Sequence, residues 1–134
     1  MTRKGPDDSN LIERELTGAI IGAFFECYNA LKFGYLESVY RSALAVELQA
    51  RGHRFVREGL IEVLYKGVCV GKYRYDLLVD GRVLVEVKSG DALAPTAKRQ
   101  LLNYLRGTGL EVGLLLHFGP EPRFFRCVHQ RFID

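Results

Sequence analysis

The spacing of apolar residues changes at Gly52 of this 134-residue chain. Before Gly52, apolar side chains recur every three or four residues, which is the period of an amphipathic helix. After Gly52, short segments rich in Val, Ile, Leu, Tyr and Phe alternate with glycine-containing turns, which is typical of β-strands. The two periods occupy separate blocks, so the sequence predicts a mixed fold in which helices and a sheet pack in layers.

The pattern also predicts the individual elements. Asn10 and Glu13 have capping-box spacing at the start of a first helix over residues 11–32. A second helix from Leu36 to Arg51 would place its apolar residues Leu36, Val39, Ala43 and Val46 on one face. The remaining elements are strands over 54–58, 60–66, 71–79 and 82–88, a helix over 94–107, and strands over 111–118 and 123–132. The order α-α-β-β-β-β-α-β-β predicts an α+β fold, an α/β sandwich with a meander at its centre.

Composition bounds the class of protein. The chain is 48% hydrophobic and 26% charged with a net charge of +3, which excludes disordered, collagen-like and coiled-coil proteins. Its length fits one domain over residues 1–134, of which 1–8 are expected to be a frayed tail. No stretch approaches the roughly 20 apolar residues that span a bilayer, and the polar N-terminus has no signal peptide. Three scattered cysteines without CxxC spacing argue against disulfides and zinc, so we expect a cytoplasmic protein.

Charged residues interrupt the apolar strand of residues 82–88. Because side chains alternate along a strand, the valines take one face while Leu84, Glu86 and Lys88 take the other. Burying an unpaired charge is costly, so an acid and an amine on this face need each other, a metal or water. Asp76, ten residues before Glu86, interrupts the preceding strand in the same way.

The turn at Asp80–Gly81 decides whether Asp76 and Glu86 share a face. A two-residue loop would put them on opposite faces, because a shift of one residue reverses every side chain. A three-residue loop or a bulge would bring them together, as in a type I turn closed by Gly81 in a left-handed conformation. We predict this odd-length connection.

Two neighbouring carboxylates repel each other, and a divalent cation relieves that repulsion. Oxygen ligands suit Mg²⁺ or Mn²⁺. Lys88 would hold an attacking water and neutralise charge that develops on a phosphate. Asp76, Glu86 and Lys88 therefore predict phosphodiester hydrolysis. The other interpretation is an exposed Glu–Lys ion pair beside an unrelated aspartate.

Asp76 followed by Glu86-Val87-Lys88 resembles the active-site pattern of the PD-(D/E)XK nuclease superfamily, whose restriction-endonuclease-like core is α-β-β-β-α-β. The chain would add an N-terminal helix and a C-terminal edge strand to that core. The segment GYLESVY over residues 34–40 is similar to the signature of the prokaryotic GxxExxY protein family, which is assigned to the same superfamily. Further similarity lies in the YKG around Lys66, in QLLNYL from Gln100 and in EVGLLLHFG over residues 111–119.

The resemblance implies a role for each matching residue. Asp76, Glu86 and Glu37 would bind the metal, and Lys88 would position the attacking water. Tyr40, Gln100 and Tyr104 would contact the substrate. From the residues alone, Glu37 is equally a first-turn acid favoured by the helix dipole, Tyr40 a packing residue, and Gln100 and Tyr104 a solvated helix face. Relatives often carry a histidine at the position of Ala97, which departs from the pattern.

The expected partner is nucleic acid, with DNA favoured over RNA. Basic residues lie in segments that flank the predicted site: Arg41, Arg51, Arg54, Arg57, Lys98, Arg99 and Arg106. Phosphate contacts of this kind carry no sequence information, so binding would be non-specific. So short a chain has little surface for gripping a duplex, which favours a homodimer. The second hypothesis is a nuclease fold that binds nucleic acid or assembles with proteins without turnover.

Overall fold

A computed structural model describes residues 12–129 of the chain. The helices are α1 (Arg14–Leu31), α2 (Glu37–Ala50) and α3 (Ala97–Thr108), and the strands are β1 (Phe55–Arg57), β2 (Leu60–Tyr65), β3 (Val68–Arg74), β4 (Leu77–Val79), β5 (Val83–Ser89), β6 (Val112–Phe118) and β7 (Pro122–Val128). The predicted tail over residues 1–8 and the predicted cap at Asn10 lie outside the described residues. The first helix begins at Arg14 rather than at residue 11, because Glu13 has a left-handed backbone with φ of 53°.

Five strands form a central mixed sheet in the order β1-β4-β5-β6-β7. Only β5 and β6 are parallel among these pairs, and α3 connects them. Helices α1 and α2 pack on one face through the alternating valines of β5, and α3 packs on the other face through Leu84 and Leu115. The fold is therefore the predicted α/β sandwich, with β7 as the predicted C-terminal edge strand.

The predicted meander is wrong in its pairing. Strand β1 pairs with β4, and β2 pairs with β3 in a separate two-stranded sheet. One register nevertheless runs through both pairs, since Glu58 N–H donates to Asp76 O and Tyr75 N–H donates to Gly59 O between them. The two pairs are thus one long hairpin that bends where the Tyr75 ring lies against Gly59. A Cβ at position 59 would collide with that ring. Counting the bent strands as single strands gives α-β-β-β-α-β from α2 to β6.

Helix α2 buries a different face from the predicted one. Leu36, Val39 and Val46 are exposed, whereas Tyr40, Leu44 and Leu48 are fully buried. The buried residues recur every four positions, and the ring of Tyr40 stacks on Phe118 of β6 with centroids 4.1 Å apart. A large aromatic side chain with a stacking partner therefore sets the orientation of the helix, and the two valines of α2 face outward.

The three cysteines are free thiols. Cys27 is buried and Cys127 is half-buried, as expected of small apolar residues, but Cys69 is exposed on β3. None of the helices within residues 12–129 is both long and apolar enough to cross a membrane.

Candidate active site

Asp76 lies directly opposite Glu86 at the edge of the sheet where β4 begins. Strands β4 and β5 pair Val79 with Val83, so three residues connect them and the same register brings Asp76 to Glu86. The predicted odd-length connection is confirmed. Its turn differs from the predicted type, because Asp80 and Gly81 both have positive φ and Arg82 N–H donates to Val79 O, as in a type I′ turn.

The two carboxylates are built into the hydrogen bonding between the strands. Glu86 Oε1 accepts the backbone N–H of Asp76 at 3.0 Å. Asp76 Oδ2 accepts the backbone N–H of Val87 at 2.7 Å. Each acid therefore has one oxygen fixed by the sheet, and the second oxygen of each is left for another partner.

Burial raises the pKa of both acids. Glu86 is only 5% exposed, and desolvation followed by repulsion from Asp76 raises its pKa to about 8. Desolvation also raises the pKa of Asp76, against the opposing effect of the Val87 N–H and the nearby Arg41 and Lys88. The positive charges of Arg41 and Lys88 therefore do not outweigh the effect of burial on either carboxyl.

Lys88 follows Glu86 on the same strand face and is half-buried. It lines a cavity of about 260 Å³ together with Glu37, Ala97 and Gln100. The start of α2, the end of β5 and the start of α3 thus meet at one place. Ala97 is buried there, at the position where the family pattern often has a histidine.

Arg41, predicted only as one of several flanking basic residues, contacts two acids at the site. Its Nη1 lies 3.5 Å from Glu37 Oε1 and 3.8 Å from Asp76 Oδ1. Glu37 and Asp76 are therefore linked through a guanidinium and do not form one carboxylate cluster with Glu86. The available signal was helical spacing, since Arg41 follows Glu37 by four residues and shares its face.

Tyr40 is fully buried, so the predicted substrate contact has no open surface there. Its hydroxyl donates to Lys32 O and accepts the N–H of Tyr35. These contacts give Tyr40 the packing role that was the other interpretation.

Gln100 and Tyr104 lie on α3 beside the site. Both line a cavity of about 230 Å³ that also includes Tyr73 and Arg99. Tyr104 is largely buried, and desolvation followed by the charges of Glu86 and Asp76 raises its pKa. Gln100 lines both this cavity and that of Lys88, so it joins the two. The role of Gln100 and Tyr104 in substrate binding stays a prediction.

The predicted basic residues do not form one patch. Arg41 and Arg99 border the site. Arg51 instead pairs with Glu47 at 2.7 Å and lies against Gly22 of α1. Arg57 donates to Ser42, the residue after Arg41 on α2. The other three have separate surroundings: Lys98 lies over the Phe125 ring, Arg54 lines a groove beside Asp80, and Arg106 is exposed near the end of α3.

The donor set suits a divalent cation. Asp76 and Glu86 each present one oxygen that does not accept a hydrogen bond from the backbone of the sheet. Oxygen donors are the ligands that Mg²⁺ and Mn²⁺ prefer. Within residues 12–129, no three acidic, histidine or cysteine side chains already form a metal cage. A bound cation would therefore rely on these two acids, with Glu37 joining only if its contact with Arg41 opens.

The fold and the paired acids define a class of proteins in which a mixed sheet carries an acidic pair and a lysine at its edge. A family model described as the PD-(D/E)XK nuclease superfamily matches residues 14–127. The chain belongs to this superfamily. No curated protein matches the sequence significantly.

Two solved structures are similar to the chain at low sequence identity. The crystal structure of SSO0001 superposes with a TM-score of 0.53 and 18% identity, covering 70% of this chain and 50% of that one. The chain thus spans half the length of SSO0001. Hjc, a Holliday junction resolvase from Archaeoglobus fulgidus, matches with a TM-score of 0.40 and 23% identity, covering 67% of this chain and 73% of that one.

Proposed function

We propose that this chain is a divalent-metal-dependent nuclease that hydrolyses phosphodiester bonds in DNA, with RNA as the second substrate. The observation that carries the proposal is the pairing of Asp76 with Glu86 at the sheet edge, with Lys88 following on the same strand face. Membership of a nuclease superfamily supports the reaction class. Mg²⁺ or Mn²⁺ is the proposed cofactor because the site offers carboxylate oxygens.

The residues divide the chemistry among themselves. Asp76 and Glu86 would hold the cation, with Glu37 as a further ligand, and a cation bound there polarises a phosphate oxygen and lowers the pKa of water. The Lys88 ammonium holds the attacking water and offsets the negative charge that builds on phosphorus. Gln100 and Tyr104, both on α3, orient the nucleic-acid strand. We further propose that the chain is a member of the GxxExxY family, that it binds nucleic acid without sequence specificity, and that it forms a homodimer.

The test is cleavage of labelled single- and double-stranded DNA with Mg²⁺, with Mn²⁺ and with EDTA. We expect metal-dependent cleavage by the wild type and a loss of about 100-fold or more for Lys88→Ala. Lys72→Ala is the matched control, because Lys72 is exposed on β3 in the separate two-stranded sheet. This variant should cleave DNA as fast as the wild type. Equal cleavage by Lys88→Ala and the wild type would place the activity elsewhere.

A second candidate is a nuclease fold that binds nucleic acid or assembles with proteins without turnover. It is favoured by Ala97, which lines the cavity of Lys88 where the family pattern often has a histidine. Metal-dependent DNA binding in a fluorescence anisotropy titration, without any cleavage by the wild type, would favour this candidate over the enzyme.

A further inference from the structure

Arg41 occupies the position from which a cation would reach Asp76. Its side chain is one-quarter exposed and contacts both Glu37 and Asp76. Asp76 Oδ2 already accepts the N–H of Val87, so Oδ1, the oxygen nearest Arg41, is the one that the sheet leaves over. A divalent cation and the guanidinium would therefore compete for one carboxylate oxygen.

A fixed positive charge beside a metal site carries a cost. Like charges a few ångströms apart repel, so Arg41 must weaken cation binding unless it moves away from Asp76. In the absence of a cation Arg41 favours the ionised form of Asp76, because burial raises the pKa of this carboxyl and the charge of Arg41 lowers it. The positive charge of Arg41 becomes favourable once a substrate brings negative charge to the site.

Guanidinium groups bind phosphate through two parallel N–H donors, which an ammonium cannot reproduce. Arg41 is on α2, and its partner Glu37 lines the cavity that holds Lys88. A phosphate entering beside Lys88 thus comes within the neighbourhood of the Arg41 side chain. We infer that Arg41 is an exchanging counter-ion: it neutralises Asp76 and Glu37 in the metal-free protein, gives up Asp76 to the divalent cation, and then binds a phosphate of the nucleic acid.

This inference rests on the proposed function and has a readout that needs no cleavage. Titration of metal-free protein with Mn²⁺ alone, by calorimetry, measures the competition. Arg41→Gln should bind Mn²⁺ about 3- to 10-fold more tightly than the wild type, because the competing charge is gone. The control is Arg51→Gln, which removes an arginine that also pairs with a glutamate four residues earlier but lies against α1.

The second measurement is anisotropy of a labelled DNA oligonucleotide with Mn²⁺ in a Lys88→Ala background, which prevents turnover. Arg41→Gln should bind DNA about 10-fold more weakly, and its salt dependence should fall by about one phosphate contact. Arg41→Lys keeps the charge but loses the paired donors. It should therefore leave Mn²⁺ affinity near the wild-type value while still weakening DNA binding.

The outcomes separate the two proposals. Wild-type protein that binds no Mn²⁺ overturns the proposed metal-dependent function, and the exchange with it. If the wild type binds Mn²⁺ and Asp76→Asn does not, the metal site stands. Unchanged or weaker Mn²⁺ binding by Arg41→Gln then overturns the exchange alone, as does DNA binding at the wild-type level by Arg41→Gln or Arg41→Lys.

Discussion

Asp76 and Glu86 face each other across β4 and β5, and each carboxylate accepts a backbone N–H from the opposite strand. The pair therefore takes the place of backbone carbonyls at the point where the ladder opens. Because both acids are held by the sheet, their remaining oxygens are fixed in place before any cation arrives. This arrangement makes the pair a preorganised site and also places a buried repulsion in the metal-free protein.

Glu86→Gln should stabilise the metal-free protein at alkaline pH. The folded chain keeps a proton on Glu86 up to about pH 8, whereas the unfolded chain releases it near the ordinary value of 4.5. The folded state binds more protons between these values, so the wild type loses stability as pH rises through this window. We expect Glu86→Gln to exceed the wild type by about 2 kcal/mol or more at pH 9 and to match it near pH 4.5. Thermal melts in EDTA measure this, and a pH-independent difference would contradict it.

Cation binding should release a proton below pH 8. Glu86 is largely protonated at pH 7 in the metal-free protein because burial and Asp76 raise its pKa to about 8. A cation needs the carboxylate, so Mn²⁺ affinity should rise by up to about tenfold per pH unit between pH 6 and 8. Calorimetry in two buffers of different ionisation enthalpy measures the number of protons released on binding, which should fall to zero by pH 9. Glu62→Gln, which removes an exposed acid on β2, should leave this behaviour unchanged.

The contact between Asp76 and Glu86 was predicted from the sequence through an odd-length loop, because loop length decides which side chains share a sheet face. Asp80–Gly81 also allowed a two-residue loop, and the type of turn was predicted wrongly. Lys88 was likewise placed on the face of Glu86, because side chains two residues apart on a strand point to the same face.

Other features depend on contacts that no local pattern contains. The bend of the long hairpin depends on Tyr75 meeting Gly59, and the orientation of α2 depends on Tyr40 stacking against Phe118, far away in the chain. In this orientation of α2, Arg41 lies 3.8 Å from Asp76. Sequence periodicity favoured the valines of α2 instead, which the structure leaves exposed.

Tyr40→Phe tests whether Tyr40 is structural. The change removes the hydroxyl that donates to Lys32 O and accepts from the N–H of Tyr35, while the ring still stacks on Phe118. We expect a loss of about 1–2 kcal/mol in the free energy of unfolding, measured in urea, because two backbone groups lose a partner. The KM for DNA should stay unchanged under conditions where the protein is fully folded. A raised KM with unchanged stability would instead assign Tyr40 to the substrate.

Gly119→Ala should disturb the loop that lines the cavity of Lys88. His117 Nε2 donates to the carbonyl of Gly90 at 3.0 Å, directly after β5, so this imidazole tethers the start of the β5–α3 connection. A Cβ at Gly119 would lie 2.6 Å from His117 Cε1, so the ring has to move. We expect Gly119→Ala to cost about 1–3 kcal/mol of stability.

A double-mutant cycle identifies the cause of that cost. His117→Ala removes the ring, so adding Gly119→Ala to it should cost nearly nothing, which gives an interaction energy of about 1 kcal/mol or more. Gly18→Ala is the control, because a Cβ there meets no atom within 4 Å and alanine favours the helix. Additive effects of Gly119→Ala and His117→Ala in urea unfolding would contradict the clash, since a backbone cause at Gly119 would persist after the imidazole is gone.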